Sequence, residues 1–194
     1  IGKTDSMQVY DPRLYLTTAM FWAMEPRLPI QQLHEISRPL TMWAAKASDM
    51  DFMGLSADDN YMTSQVIRKI GRTFWGSEIA ADFSTYQGKA LAAVNIQNRQ
   101  YLNESAILCD MAHPIIYSKA AKDHVGDPTL THHILSVVTG IDPDMENMAQ
   151  FGRRIFTMQR ICQIRDGHGG RESDALEPFH FTTGLKTDFM NENC

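Results

Sequence analysis

Three cysteines and seven histidines are the residues of this 194-residue chain best suited to metal or nucleophilic chemistry. The cysteines, Cys109, Cys162 and Cys194, are spaced too widely and irregularly for a disulfide framework or a CxxC zinc site. We therefore expect a reducing compartment. Cys109 lies in the segment NESAILCDMAHP (103–114), five residues after Glu104. The residues alone allow two interpretations of its thiol, a buried core group or one ligand of a larger site.

The histidines give weaker evidence for a metal site. His132 and His133 are adjacent, and neighbours on a helix point about 100° apart, so the two cannot both face one metal ion. We expect one exposed and one half-buried imidazole. A zinc site built from His113, His124 and His132 stays open as an alternative. His168 is expected to be a solvated loop residue.

Motifs for nucleophilic catalysis and phosphate binding are absent from the sequence. It has no GxSxG elbow, Pro114 disfavours a helical pairing of Cys109 with His113, and GHGGRE lacks the GxxxxGK[ST] spacing. The net charge of −5 argues against nucleic-acid binding, which needs a clustered basic face. Apolar runs are far shorter than the roughly 20 residues that cross a bilayer. We expect a soluble, cytoplasmic protein with no nucleic-acid or membrane partner.

Helical periodicity dominates the segments that must position these residues. A long helix of roughly six turns is predicted from Asp142, the expected N-cap, to the stop at Gly167. Its predicted apolar stripe consists of Met145, Met148, Ile155, Met158 and Cys162. Further helices are predicted at 11–24, 29–36, 57–74, 85–102 and 128–140, with loops at 46–56, 75–84, 111–127 and 167–194. Strand signals are sparse, the best being 180–185, so the predicted fold class is all-α.

The chain resembles the C-terminal part of the tungsten-containing aldehyde:ferredoxin oxidoreductase family in two ordered segments, LNESAILCDMAHP and LTHHILSVVTGIDPDMENMAQFGRRIFTMQRICQIRDGHGGRESDALEPF. The first is similar to the family's Asp-x-x-x-Leu-Cys segment, and the second to its Thr-Gly turn and Gly-x-Arg helix. The matching positions are Glu104 to Cys109, Thr139-Gly140, Gly152-x-Arg154 through Met158 and Arg160, and Gln163-x-Arg165-Asp166-Gly167. Order and spacing agree across about residues 85 to 180, and DPRLYLTTAMFWAMEPRLP matches more loosely.

The resemblance implies a tungstopterin (or molybdopterin) cofactor and a [4Fe–4S] cluster in the intact enzyme. Cys109 would be the fourth thiolate ligand of the cluster, after three from a CxxCxxxC run in the preceding, central domain. Glu104 and Leu108 would line the adjoining pterin, and a carboxylate can accept hydrogen bonds from its N–H groups. Glu104 replaces the family's usual Asp. Gln163 and Asp166 replace its usual Asn and Glu in a turn that we interpret as structural.

The resemblance also sets the expected organisation and function. Residues 1–194 would be a single mainly helical region, a multi-helix C-terminal domain of the aldehyde ferredoxin oxidoreductase type. The N-terminal pterin domain, the CxxCxxxC run and the last family segment are not in this sequence, so we expect a fragment of a larger enzyme.

That enzyme would oxidise aldehydes or related substrates to carboxylic acids and pass electrons to ferredoxin or an electron-transfer subunit. The isolated fragment would hold no cofactor and be inactive. Its partners would be the N-terminal and central domains of the same enzyme, and a homodimer is allowed. No motif assigns an acid or base near the metal. The alternative is a non-catalytic helical interaction module in which Cys109 is a buried structural residue. We expect Cys162 to be buried on the apolar stripe of the long helix.

Overall fold

The computed structural model describes residues 10–13, 15–25, 29–109, 115–142 and 144–182. Within these ranges the α-helices are α1 (Leu16–Met24), α2 (Ile30–Ala47), α3 (Ser64–Ile70), α4 (Lys89–Ser105), α5 (Leu130–Thr139), α6 (Met145–Arg165) and α7 (Phe179–Thr182). A π-helical turn, Gly71–Trp75, continues α3, and 3₁₀ turns span Glu78–Ala81 and Gly170–Glu172. These ranges contain no strand, only the isolated bridges Phe52–Leu55 and Tyr117–Val125. The all-α prediction is confirmed. Over the same ranges, no helix is both long and apolar enough to cross a bilayer.

Two helices differ in length from the prediction. α2 was expected to end near residue 36, yet it continues through Pro39 to Ala47. Burial of Leu33, Ile36 and Leu40 on one face outweighs the hydrogen bond that proline cannot donate. The helix expected at 57–74 begins only at Ser64, because the amide of Asn60 donates to the Met42 carbonyl (2.7 Å) and holds the preceding segment as a loop.

The start of α6 corrects the predicted N-cap. Asp144, not Asp142, caps this helix, since its carboxylate accepts the backbone N–H of Asn147 at 2.7 Å. The carboxylate of Asp142 lies 2.9 Å from Nε2 of His132 on α5. The predicted strand at 180–185 is wrong for residues 180–182, which belong to α7. Residues 183–185 lie outside the described part of the chain.

The hydrophobic core lies among the first four helices and the π-helical turn. Full burial of one large apolar side chain contributes about 1.5–3 kcal/mol. The most deeply buried large side chains include Phe21, Leu33, Ile36, Met62, Ile67, Ile70, Trp75 and Ile96. Together they fix α4 against α1, α2 and the π-helical turn.

The buried carboxylate of Glu35 ties α2 to α4 and to the π-helical turn. Its Oε1 accepts hydrogen bonds from Nε1 of Trp75 (3.3 Å) and from Nη2 of Arg99. Its Oε2 accepts from Nε of Arg99 (3.2 Å) and Nε2 of Gln100 (2.6 Å). Removing one partner of a buried ion pair typically costs about 3–5 kcal/mol, because the other charge is left uncompensated. Glu35 therefore fixes the rotation of α4 about its own axis.

A second buried carboxylate, Glu25, lies where α1 ends and joins four helices. Its Oε1 accepts from Nε2 of Gln32 on α2 (3.1 Å) and from the hydroxyl of Tyr101 on α4. Its Oε2 accepts from Nε2 of Gln159 on α6 (3.1 Å). Buried polar groups of this kind are tolerated only when hydrogen-bonded. The position of α6 against α4 thus depends partly on Glu25.

The inner face of α6 is narrower than the predicted apolar stripe. Met148 is buried, but Met158 is 67 % exposed and Cys162 is exposed. The prediction that Cys162 is buried is therefore wrong. Gln159 takes an inner position instead, because it reaches the carboxylate of Glu25.

Backbone contact between α4 and α6 occurs at Gly152. A Cβ atom at this position would lie 1.8 Å from the carbonyl oxygen of Asn98 on α4. No heavy-atom contact is that short, so the observed crossing admits only glycine. The two helices approach as closely as their backbones allow.

Gly152→Ala should lower the free energy of unfolding by about 3 kcal/mol, because the new methyl group must push α6 away from α4. Urea denaturation followed by circular dichroism measures the change. Gln150→Ala, at an exposed position on the same helix, is the control and should change stability by less than about 0.5 kcal/mol. Equal stability of the two variants would contradict the crossing at Gly152.

Candidate functional site

The C-terminal end of α4 places Glu104, Leu108 and Cys109 in one compact turn. The N–H of Leu108 donates to the carbonyl of Asn103 (2.9 Å), and the N–H of Ile107 donates to the carbonyl of Glu104 (3.1 Å). These two bonds form a Schellman motif, which satisfies carbonyls that the helix end would leave unpaired. The turn therefore fixes residues 104–109 relative to the helix.

Ile107 occupies the left-handed position of this motif, with φ of +60°. Glycine is the usual residue there, and a side chain with Cβ costs about 1–2 kcal/mol in this conformation. Its apolar side chain is also 92 % exposed. An exposed, β-branched residue in a strained conformation does not serve the stability of the isolated chain.

Glu104 occupies an electrostatically unfavourable position as well. It lies in the last turn of α4, where the helix dipole presents partial negative charge, and that turn contains no basic residue. A carboxylate there costs about 0.3–1 kcal/mol. Backbone strain at Ile107 and an unfavourable charge at Glu104 lie within four residues of each other. Such features are typical of a functional site, where residues are kept for function although they lower local stability.

Cys109 follows this turn with an exposed, free thiol. The interpretation of Cys109 as a buried structural residue is therefore wrong. The half-buried Leu108 is anchored from a second direction, because Nε2 of Gln31 on α2 donates to its carbonyl at 3.1 Å. The neighbouring residues 110–114, including His113, lie outside the described part of the chain. The site thus presents one accessible thiol beside a residue whose N–H and carbonyl are both hydrogen-bonded.

Metal ligands do not cluster elsewhere in the described ranges. No group of three or more His, Cys, Asp or Glu side chains there could hold a metal ion. His124 stacks on the ring of Tyr61 with ring centroids 4.6 Å apart, and His132 contacts Asp142. These contacts give no support to the zinc alternative. As predicted, His132 is half-buried and His133 is exposed.

Comparison with known proteins gives the family. A family model described as "Aldehyde ferredoxin oxidoreductase, domains 2 & 3" matches residues 3–192. The chain belongs to the aldehyde ferredoxin oxidoreductase family. The resemblance predicted from the two segments is thereby confirmed, and the chain corresponds to domains 2 and 3 of these oxidoreductases. No curated protein and no solved structure matches the chain.

The second family segment, on α6, has a structural role. The guanidinium of Arg160 forms a bidentate ion pair with Asp174 (3.0 and 2.7 Å) and also donates to Oε1 of Gln163 (2.8 Å). The structural interpretation of Gln163 agrees with this contact, whereas Asp166 contributes through its backbone N–H to the Cys162 carbonyl (3.0 Å). Sequence reasoning missed Asp174, because nothing in the spacing links it to Arg160.

His168 is not the solvated loop residue expected from the sequence. Its ring is half-buried, Nδ1 accepts the backbone N–H of Gly170 (3.1 Å), and Nε2 lies 3.5 Å from Asp174. The ion pair at the end of α6 and this histidine fold the following loop back on the helix. In this family segment, the motif residues therefore hold a loop in place.

Ile107→Gly should raise the free energy of unfolding by about 1 kcal/mol or less, since it removes the left-handed strain but adds unfolded-state entropy. Thermal denaturation of the chain measures the change. Ile107→Ala is the matched control, because it shortens the exposed side chain but keeps Cβ, and it should stabilise less than glycine. Equal gains from both variants would show that exposure, and not backbone conformation, makes Ile107 unfavourable.

Proposed function

We propose that this chain forms one wall of the cofactor site of an enzyme that oxidises aldehydes, or related substrates, to carboxylic acids. Electrons would leave to ferredoxin or to an associated electron-transfer subunit. The observation that carries the proposal is the exposed thiol of Cys109, held by a strained turn at the family's Leu-Cys position. When bound, a tungsten or molybdenum bis-pterin supplies the two-electron oxidation and a [4Fe–4S] cluster supplies the path for single electrons.

Cys109 fits the role of the closing thiolate ligand of the cluster. Its sulfur is accessible, and the preceding residue is fixed by hydrogen bonds from α4 and α2. In the described ranges it belongs to no group of three or more His, Cys, Asp or Glu side chains that could hold a metal ion. Three thiolates must then come from another domain, as the family's CxxCxxxC run would provide.

Glu104 and Leu108 fit the wall of the pterin site. Both are half-buried in the turn that leads to the cysteine. N–H donors of a bound pterin would offset the unfavourable position of the Glu104 carboxylate at the end of α4. Glutamate is one methylene longer than the family's usual aspartate, so its carboxylate would reach the pterin from a main chain set slightly farther away.

The other domains of the same enzyme, the N-terminal one included, are the proposed partners of the exposed apolar face of α6. Met158, Ile161 and Ile164 are each more than half exposed on this helix. A helix with apolar residues on opposite faces is normally buried on both. Together with the exposed Ile107, these residues would exclude water once the domains assemble. We propose that residues 1–194 act as a single mainly helical region in this assembly.

The competing function, a non-catalytic helical interaction module, is less well supported. It required Cys109 to be a core residue, and the thiol is exposed. We place the enzyme in the cytoplasm, because the free, exposed thiols of Cys109 and Cys162 suit a reducing compartment. A homodimer remains compatible with the proposal.

Metal analysis of the anaerobically purified full-length protein that contains this chain tests the proposal. We expect about four irons and one tungsten or molybdenum per chain, with iron lost in Cys109→Ala. Cys162→Ala removes the other exposed thiol of the described residues and should retain its iron. A metal-free parent protein would contradict the enzymatic proposal. Full iron in Cys109→Ala would contradict only the ligand role of Cys109.

A further inference from the structure

A row of buried polar side chains leads from the bundle core to the turn before Cys109. Nε2 of Gln100 donates to Oε2 of Glu35 (2.6 Å), and Nδ2 of Asn103 donates to Oε1 of Gln100 (3.5 Å). The hydroxyl of Thr131 on α5 donates to Oδ1 of Asn103 (3.2 Å). All four side chains are buried. We call this row the Asn103 relay; it connects α2, α4 and α5.

Asn103 also holds the site through its main chain. Its carbonyl accepts the N–H of Leu108 at 2.9 Å, the longer-range of the two bonds in the Schellman motif. One residue therefore connects the relay, through its side chain, with the turn that carries the thiol, through its backbone. Rotation of the last turn of α4 would break both sets of bonds.

Asparagine is a costly choice at this position. It is a poorer helix former than alanine or leucine, and a buried amide without partners costs about 1–3 kcal/mol. An apolar residue would satisfy a purely structural position between α4 and α5. The amide instead specifies one orientation of the turn, because its donor and its acceptor each have a defined partner.

We propose that Asn103 is a positioning residue that sets the orientation of Cys109 toward the iron–sulfur cluster. This inference rests on the proposed function, in which Cys109 is a cluster ligand. Residues that orient a metal ligand influence metal retention, and hydrogen bonds and geometry around thiolates influence cluster potential. Thr131 acts through Asn103, since its hydroxyl fixes the amide from α5.

The test compares variants of the anaerobic full-length holoenzyme by two readouts, the rate of iron loss to a chelator and the electron paramagnetic resonance spectrum of the reduced cluster. Asn103→Leu keeps the approximate shape without polar atoms, and Thr131→Val removes only the hydroxyl. Both should lose iron about 10–100-fold faster and show an altered spectrum. Thr131→Ser restores the hydroxyl and should resemble the parent protein.

Asn60→Leu is the matched control for general destabilisation. Asn60 is also a buried asparagine, but its amide bonds the Met42 carbonyl (2.7 Å) in the loop before α3. It should destabilise the fold without changing the spectrum. If Asn103→Leu does not fold, the comparison of Thr131→Val with Thr131→Ser tests the positioning role.

Three outcomes would overturn the inference. They are parent-like iron loss and spectra in both relay variants, failure of Thr131→Ser to restore the parent properties, and equal effects in Asn60→Leu. Cys109→Ala separates this failure from failure of the proposed function. If that variant loses iron while the relay variants do not, Cys109 is a ligand and only the positioning role is wrong.

Discussion

The position of α4 depends on two buried carboxylates, and the candidate site depends on α4. Glu35 receives four hydrogen bonds from three side chains, and Glu25 receives three from three helices. A buried carboxylate is stabilised only when all its partners are in place, so such a network resists partial rearrangement. The last turn of α4 is therefore an extension of a fixed helix and not the start of an independent loop.

Close packing supports the same helix from its other side. Gly152 lets α6 meet the backbone of α4 at Asn98, and the Arg160–Asp174 ion pair folds the following loop back on α6. A ligand site functions when the side chains that contact the ligand are held within a fraction of an ångström by a supporting layer of surrounding residues. Here that layer contains the family's α6 motif as well as the Asn103 relay.

Local unfavourable features lie among or directly beside the residues that we propose to contact the cofactors. Ile107 adopts a left-handed conformation while almost fully exposed, and Glu104 places negative charge at the negative end of α4. Neither the left-handed backbone of Ile107 nor the position of Glu104 in the helix dipole is one that local energetics favour. Both become understandable if a cofactor with N–H donors and a covering domain meet this surface, since burial and hydrogen bonds would then offset the cost.

The sequence predicted the helices and the family but not the supporting contacts. Periodicity located α4, α5 and α6 within a few residues, because their spacing is a local property. Asp142 and Asp144 both flank Pro143, and local spacing could not show that the second one caps α6. Cys162 was misassigned because an apolar stripe does not reveal which part of it the core covers.

The Asn103 relay could not be predicted, since its partners lie up to 65 residues apart in sequence. The most direct test of the account is diffraction from crystals of the anaerobic intact enzyme at the iron absorption edge. We expect iron density at bonding distance from Sγ of Cys109, with the Leu108–Asn103 hydrogen bond retained. An iron–sulfur cluster closed by another residue, with Cys109 pointing away, would contradict it.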